Sequence, residues 1–256
     1  MQLIDSHTHL YLPEFDDDRD EIIGRALKNN VTKMLLPNIN KDSVKPMMRM
    51  VANYPGICYP MIGIHPTSAK DDYEEQLESV ENNLQKNNFI AIGEIGIDLY
   101  WDKTYISQQE AAFVEQLKIA SREGLPVVIH SRESLEEIIA LLDSAGLGNL
   151  RGVFHAFTGN IDQAREIIKR GFLLGVGGIL TFKNSDLDKT IKSIELKKII
   201  LETDSPYLAP VPKRGKRNES SYVRFIAERL AEIKNVKVEE IARITTSNCK
   251  ALFGLD

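Results

Sequence analysis

The chain has 256 residues, of which 43% are apolar and 27% are charged, and its formal net charge is −5. These proportions are typical of a globular protein and exclude a disordered chain, while the charge excludes a general attraction to polyanions. The length suits one α/β barrel, so we predict a single domain over residues 1–256. Any contact with nucleic acid must then come from a local basic patch.

The sequence also favours a cytoplasmic protein. Cys58 and Cys249 lie far apart with no neighbouring cysteine, which is typical of reduced structural thiols. The N-terminal residues lack a secretory pattern, and the longest apolar stretch, residues 172–180, is shorter than the about 20 residues that span a bilayer. We therefore expect neither secretion nor a membrane partner.

Short apolar runs alternate with longer amphipathic segments along the chain. Helical segments separate each consecutive pair of these runs. Eight runs have the length and the β-branched content of buried strands. They are residues 3–5, 32–37, 57–64, 89–94, 126–130, 150–155, 171–176 and 198–203.

Two of the helical segments carry recognisable start and stop signals. One is predicted to begin with a capping box at Ser107 and Glu110 and to end at Gly124. The next begins at Ser134, carries an apolar stripe of helical spacing, and ends at Gly146. Two further amphipathic segments follow the eighth strand, at residues 221–234 and 238–253.

Eight alternating strand and helix units predict a parallel sheet covered by helices. A closed (β/α)8 TIM barrel with extra C-terminal helices is the interpretation that we favour. A doubly wound open sheet is the alternative, but no GxGxxG motif follows an early strand.

The first predicted strand ends directly before two histidines. Residues two apart point to the same side of an extended chain, so His7 and His9 present both imidazoles to one point. This is half of a metal site, and it suits zinc, manganese, iron or nickel. No further histidine or cysteine follows locally, so the remaining ligands must come from distant parts of the chain.

The other histidines and two carboxylates also end or follow predicted strands. A single such residue is more often structural, as a hydrogen-bonded histidine or a carboxylate that caps a helix. Together with His7 and His9, however, they select one end of the strands, and the carboxyl end of a barrel is where its chemistry collects. These residues are His65, Glu94, His130, His155 and Asp204.

Seven ordered motifs resemble the TatD family of metal-dependent deoxyribonucleases, within the amidohydrolase superfamily. Singly these motifs are weak, but together they cover residues 6 to 219 in the expected order. The motifs are SHTH at 6–9, GIHP at 63–66, GEIGID at 93–98, PVVIHSR at 126–132, FHAFTG at 154–159, ETDSPYL at 202–208 and RGKRNE at 214–219.

The resemblance implies a site for two divalent ions, with Mg, Mn and Zn as candidates. One ion would be held by His7, His9 and Asp204, the other by His130 and His155, with Glu94 as the bridge. Related barrels often use a carboxylated lysine as this bridge, so the glutamate favours the TatD family. Asp204 would orient the attacking water and take its proton. Three departures from the family pattern touch no implied ligand: Ala156, Thr158 and Ser220.

Several residues near the strand ends are candidates for substrate binding. His65 would line the site rather than bind metal, although a structural role before Pro66 is nearly as plausible. Arg132 could bind a phosphate bidentately, and Glu202 would support the site from behind. The remaining candidates are Tyr207 and a basic cluster that should overhang the metals, with Arg214, Lys216 and Arg217. Four aromatic residues could stack an unpaired base or simply pack: Tyr100, Trp101, Phe157 and Tyr207.

The expected activity is hydrolysis of DNA phosphodiester bonds, as an exonuclease on single-stranded or frayed ends. The expected partner is therefore DNA or another nucleic acid, with no obligate protein partner. An alternative keeps the metals but cleaves a carboxylic ester, as a D-aminoacyl-tRNA deacylase does. A third possibility is a metal- or nucleic-acid-binding barrel without catalysis, which a complete set of implied ligands makes unfavourable.

Overall fold

The structure is a computed structural model that describes residues 1–256. Eight strands and nine α-helices alternate, and no helix has the length and apolar character needed to cross a membrane. The strands are β1 (Leu3–Asp5), β2 (Val31–Leu36), β3 (Cys58–Pro60), β4 (Ile92–Asp98), β5 (Val127–Arg132), β6 (Gly152–Phe154), β7 (Leu173–Val176) and β8 (Ile199–Leu201). The helices are α1 (Arg19–Lys28), α2 (Val44–Asn53), α3 (Tyr73–Leu84), α4 (Ile106–Glu123), α5 (Leu135–Ala145), α6 (Ile161–Lys169), α7 (Leu187–Lys192), α8 (Val223–Lys234) and α9 (Val238–Phe253).

The strands pair in parallel and in chain order around a ring. Strands β1 to β3 form one sheet and β4 to β8 form another. Isolated parallel bridges join the two sheets, between Ile62 and Ile92 on one side and between Thr8 and Ser205 on the other. The order never reverses as it does in a doubly wound sheet, so the predicted (β/α)8 barrel is confirmed.

The predicted bounds of β4 were wrong at both ends. The strand begins at Ile92 and continues past Glu94 to Asp98, because its last residues pair with the end of β5. Gly96 permits this close pairing. Its φ is 146°, and a Cβ atom there would lie 2.0 Å from the His130 carbonyl oxygen. The prediction for β3, at residues 57–64, was too long, since regular pairing covers only Cys58–Pro60.

The helix ends were predicted better than the helix starts. Gly124 and Gly146 both adopt the left-handed conformation that closes α4 and α5. The capping box at Ser107 was wrong, because α4 already begins at Ile106 and its cap residue makes no side-chain hydrogen bond. Ser134 precedes α5 as predicted, but its hydroxyl donates to the Ile97 carbonyl, which ties this turn to β4.

The lumen of the barrel is apolar at its amino end. Val128, Val153 and Ile200 point inward from β5, β6 and β8 and pack against Leu252 and Phe253 of α9. The last helix therefore closes this end of the barrel. Because strand side chains repeat every two residues, the same faces next present residues 130, 155 and 202 at the carboxyl end.

Both cysteines are free and buried, as expected for structural thiols. Cys249 packs among the apolar side chains under the barrel, while Cys58 lies in the main core. Burial raises the pKa of both thiols, that of Cys58 to about 12. Neither sulfur is therefore a reactive thiolate at neutral pH.

Candidate metal centre

Four ligand atoms converge where β1 ends and the chain leaves β8. His7 Nε2 lies 3.3 Å from His9 Nε2, 3.2 Å from Glu94 Oε2 and 3.7 Å from Asp204 Oδ1. His9 Nε2 lies 3.6 Å from each of the same two carboxylate oxygens. The first donor group therefore contains two imidazoles and two carboxylates.

The other oxygen of Glu94 faces a second set of imidazoles. Glu94 Oε1 lies 2.7 Å from His155 Nε2 and 3.0 Å from His130 Nδ1, and these two nitrogens are 3.3 Å apart. His65 Nε2 lies 3.4 Å from the same oxygen. The carboxylate of Glu94 thus divides its two oxygens between two donor groups.

The backbone at the end of β8 aims Asp204 at this centre. Asp204 has a φ of 57°, in the left-handed region that aspartate tolerates better than most residues. Its backbone N–H donates to the His7 carbonyl at 2.9 Å, which ties the end of the eighth strand to the first. Strands that are adjacent only after the barrel closes therefore supply one donor group.

Hydrogen bonds on the outer nitrogens fix which ring nitrogen carries the proton. The Tyr11 hydroxyl donates to the Pro37 carbonyl at 2.6 Å, so it accepts from His9 Nδ1 at 3.0 Å. His130 Nε2 faces Asp98 Oδ2 at 2.9 Å and must likewise be protonated. In both rings the nitrogen with the free lone pair is the one turned to the centre, as metal-ligating histidines require.

His155 is oriented by a buried carboxylate. Its Nδ1 lies 3.5 Å from Glu202 Oε1, and the same oxygen accepts the backbone N–H of Ala156 at 2.5 Å. Glu202 is 1% exposed and lies behind the ring. This turns His155 Nε2 towards Glu94, and that nitrogen offers a lone pair to a cation when the ring is neutral.

His65 has the opposite arrangement. Its Nδ1 accepts the backbone N–H of Thr67 at 3.2 Å, so the ring proton lies on Nε2, the nitrogen that faces Glu94. A protonated nitrogen donates a hydrogen bond and cannot bind a metal ion. By distance alone His65, Glu94 and His130 could hold an ion, and the role of His65 as a lining residue rather than a ligand stays a prediction.

The donor atoms are spaced as cation ligands are. Ligands about 2.0 to 2.1 Å from a tetrahedral ion stand roughly 3.3 to 3.4 Å from one another. The separations within both groups scatter around this range, and the atoms are imidazole nitrogens and carboxylate oxygens. The residues therefore fit divalent metal ions such as zinc or manganese.

Both carboxylates of the centre are ionised at neutral pH. Burial alone raises the pKa of Glu94, but the charges of the surrounding histidines, His155 foremost, hold that pKa well below its usual range. Burial also opposes ionisation of Asp204, and the hydrogen bond from His9 lowers its pKa overall. The two carboxylates thus supply negative charge that a divalent cation would neutralise.

A cavity of about 730 Å³ opens above the centre. Glu94, His130 and Asp204 lie among its lining residues, so the donor groups are reachable from outside. A cavity of similar volume, about 750 Å³, lies between α1 and α2 but contains no histidine. Chemistry rather than volume therefore identifies the candidate site.

A family model described as TatD related DNase matches residues 4–254. The chain belongs to the TatD-related DNase family. The Bacillus subtilis protein named uncharacterized metal-dependent hydrolase YabD is 39% identical over 99% of this chain and 100% of its own length. The human protein named deoxyribonuclease TATDN3 is 30% identical over 98% of this chain and 94% of its own. The crystal structure of YjjV, a TatD homologue from Escherichia coli, has a TM-score of 0.93 at 28% identity, over 99% of this chain and 98% of that one.

Membership confirms the family resemblance found in the motifs, and it makes the chain a metal-dependent hydrolase of the TatD type. The likeness to YjjV also confirms the fold of this TatD-related chain. The six residues that the resemblance implied as ligands all lie in the two donor groups: His7, His9, Glu94, His130, His155 and Asp204.

The predicted substrate-binding residues of this TatD-related chain separate into two sets. Arg132 and Tyr207 line the cavity above the donor groups. The three predicted basic residues of the loop after β8 do not line it. Arg214 lies over the Phe182 ring, and Arg217 is bonded to Asp18. Lys216 is exposed, and its role in binding stays a prediction, like that of the other two.

Two supporting residues of the TatD-related centre were not found from the sequence. The Tyr11 hydroxyl orients His9 while it donates to the Pro37 carbonyl. No local sequence pattern connects Tyr11 with Pro37, so this contact could not be predicted. Asp98 could have been found, because it follows Glu94 by four residues along one strand. A period of two places both carboxylates on the same side of β4.

Proposed function

We propose that this chain is a deoxyribonuclease that hydrolyses phosphodiester bonds at single-stranded or frayed DNA ends, using two divalent cations. The observation that carries the proposal is the Glu94 carboxylate, whose oxygens face two separate donor groups below an open cavity. Paired cations are a recurring means of cleaving phosphodiesters, because attacking and leaving oxygens both need stabilisation. The family description and the name of the human relative support the same substrate.

In this proposal Glu94, with one oxygen in each donor group, would contribute to both cation sites, and the other donors would divide between them. Asp204, His7 and His9 would hold one cation, while His130 and His155 would hold the second. Magnesium, manganese or zinc suits this set, and availability decides among ions of similar preference. When bound, the cations supply the Lewis acidity that activates water and neutralises charge developing on the phosphate.

Asp204 is the general base of the proposed reaction. Its Oδ1 faces His7 and His9, and the side chain also lines the cavity where substrate enters. The carboxylate is ionised at neutral pH, so it has a lone pair that can accept a proton from the attacking water.

Two further residues bind the phosphate. His65 carries its proton on Nε2 because Thr67 donates to Nδ1, so the ring can donate to a phosphate oxygen. Arg132 lines the cavity and offers a forked guanidinium, which matches two phosphate oxygens. These donors orient the scissile bond without taking part in the proton transfer.

The direct test is cleavage of single-stranded DNA by purified protein that has been stripped of metal with EDTA. We expect no cleavage in EDTA and recovery when Mg²⁺, Mn²⁺ or Zn²⁺ is restored. Failure of all three ions to support cleavage would sink the proposal.

A parallel assay separates the two hydrolytic activities. The same preparations are given a D-aminoacyl-tRNA, and release of the amino acid is followed over time. The deoxyribonuclease proposal predicts faster turnover of DNA. Metal-dependent deacylation that exceeds DNA cleavage by a wide margin would favour the esterase instead.

A further inference from the structure

Two exposed aromatic rings and one arginine form a continuous stack at one edge of the cavity. Trp101 is 68% exposed and Tyr100 is 50% exposed, and their rings meet edge to face with centroids 5.0 Å apart. The Arg132 guanidinium lies 3.9 Å from the centre of the Tyr100 ring and 5.3 Å from that of Trp101. Large rings left this exposed mark a surface that another molecule covers.

The arginine of this stack has no anionic partner within the chain. Its guanidinium makes neither an ion pair nor a hydrogen bond to a side chain or carbonyl. Arg19, Arg25 and Arg170, by contrast, are each paired with a carboxylate. Because the chain is negative overall, an unpaired arginine beside the cavity creates a local site for an anion.

A single carboxylate fixes the stack relative to the metal centre. Asp98 Oδ1 accepts the backbone N–H groups of Tyr100 at 2.9 Å and Trp101 at 3.0 Å. Its Oδ2 faces His130 Nε2 at 2.9 Å. Asp98 therefore positions both the turn that carries Tyr100 and Trp101 and the imidazole of the candidate ligand His130.

Tyr100 and Trp101 have different places in the stack. Trp101 and Arg132 both line the cavity, whereas Tyr100 does not. The Tyr100 ring supports the other two by contacting both. On the opposite rim Tyr207 is 50% exposed, but no cation lies over its ring. Only the edge with Trp101 combines an open aromatic surface with an unpaired positive charge.

We propose that Trp101 and Arg132 form a nucleotide subsite beside the metal centre. The indole stacks on one unpaired base, and the guanidinium binds the phosphate attached to that nucleotide. The inference rests on the proposed deoxyribonuclease function and specifies its substrate. A base that stacks on Trp101 must leave its duplex, so the enzyme takes strands with at least one splayed nucleotide next to the cleaved bond.

The chain carries its own reporter for this subsite, because Trp101 is its single tryptophan. We would titrate the Mg²⁺-loaded protein with a single-stranded phosphorothioate oligodeoxynucleotide, which resists cleavage, and follow tryptophan emission. The expected result is saturable quenching by the single strand and much weaker quenching by a blunt duplex of the same sequence. Absence of quenching, or equal quenching by the duplex, overturns the subsite.

A matched pair of arginine variants tests the phosphate contact. Arg132→Ala should weaken the apparent affinity in this titration about tenfold and reduce its salt dependence. Arg165→Ala removes another exposed arginine, which lies on α6 and pairs only with Asp162, and should leave the titration unchanged. Equal behaviour of the two variants contradicts the proposal.

Kinetics with the natural phosphodiester separate this inference from the proposed function. Trp101→Ala should raise KM for single-stranded DNA about tenfold with little change in kcat, and Trp101→Phe should restore most of the loss. DNA cleavage with an unchanged KM in Trp101→Ala refutes the subsite and leaves the deoxyribonuclease standing. Quenching by single strands without cleavage of any DNA refutes the deoxyribonuclease and leaves the subsite standing.

Discussion

The amino end of the barrel lumen is closed by apolar side chains, whereas the carboxyl end holds imidazoles and carboxylates. Val128 and His130 lie two residues apart on β5, and Val153 and His155 have the same relation at β6. The two-residue repeat of a strand therefore places a layer of apolar side chains directly below a layer of buried ionisable side chains. The backbone provides the same framework at both levels, and the side chains alone decide which end stabilises the fold and which end reacts.

Burial of side chains has opposite effects on the stability of the fold in the two layers. Burial of Phe253 and Leu252 under the barrel stabilises the fold through removal of apolar surface from water. Burial alone has the opposite sign for Glu94, because it carries a desolvation penalty that the surrounding histidines must outweigh. We therefore expect substitutions at one end to change stability and substitutions at the other to change activity.

The largest effect is expected from Glu94→Gln at the reactive end. The amide keeps the shape of the side chain but removes the charge shared by both donor groups. Turnover of single-stranded DNA should fall on the order of a thousandfold or more. Circular dichroism should show a retained fold, and Glu228→Gln on the exposed face of α8 should keep full activity. An active Glu94→Gln enzyme would remove this carboxylate from the centre.

At the closed end Phe253→Ala should lower stability and leave activity largely unchanged. Phe253 is 5% exposed, and loss of its ring should lower the free energy of unfolding by about 3 to 5 kcal/mol. Urea denaturation measures the loss, while kcat at a temperature where the variant is folded should stay near that of the wild type. Leu27→Ala, at a side chain that is 41% exposed, is the matched control and should change stability little. A large loss of kcat in folded Phe253→Ala would break the division between the ends.

Asp98 supports the candidate ligand His130 from behind. Asp98→Asn should therefore have an intermediate effect, on metal affinity. The variant weakens the contact behind His130, which should lower the affinity for the second cation about 10- to 100-fold. Calorimetric titration with Zn²⁺ can resolve the two binding events. We expect the first event to keep its affinity, and equal weakening of both would contradict the assignment of His130 to one donor group.

The smallest effect is expected from Arg217→Ala, in the loop after β8. The hydrogen bond from Arg217 lowers the pKa of Asp18 below 3.8. A lowered carboxylate pKa contributes stability above pH 3.8 and loses it as pH falls through the folded value. The wild type should exceed the variant by less than about 1 kcal/mol at pH 7, and the difference should shrink in urea titrations near pH 3. Lys216→Ala should show no such difference, and a difference that grows in acid would be inconsistent with this pair.

Much of the metal centre could be predicted because its signals are local and periodic. His7 and His9, and the histidines that end β5 and β6, each follow a short apolar run. Parallel strands bring such ends to one side of a barrel, so chain order was enough to group them. The extent of β4 was missed because apolar content ends before Asp98, whereas pairing with β5 continues.

The supporting contacts could not be predicted in the same way. Whether Arg217 faces the substrate or pairs with Asp18 depends on how two loops nearly two hundred residues apart approach each other. The role of Tyr11 similarly depends on the Pro37 carbonyl. Such contacts follow from packing across the closed barrel, and a pattern of residue types along the chain does not contain them.

In the proposed centre, Glu94 lies between two donor groups that each hold one cation. Counting bound metal by plasma mass spectrometry, after loading with Zn²⁺ and removal of excess ion, tests it most directly. We expect two ions in the wild type and one ion in each of His9→Ala and His130→Ala. A single ion in the wild type that is fully retained in His130→Ala would contradict it.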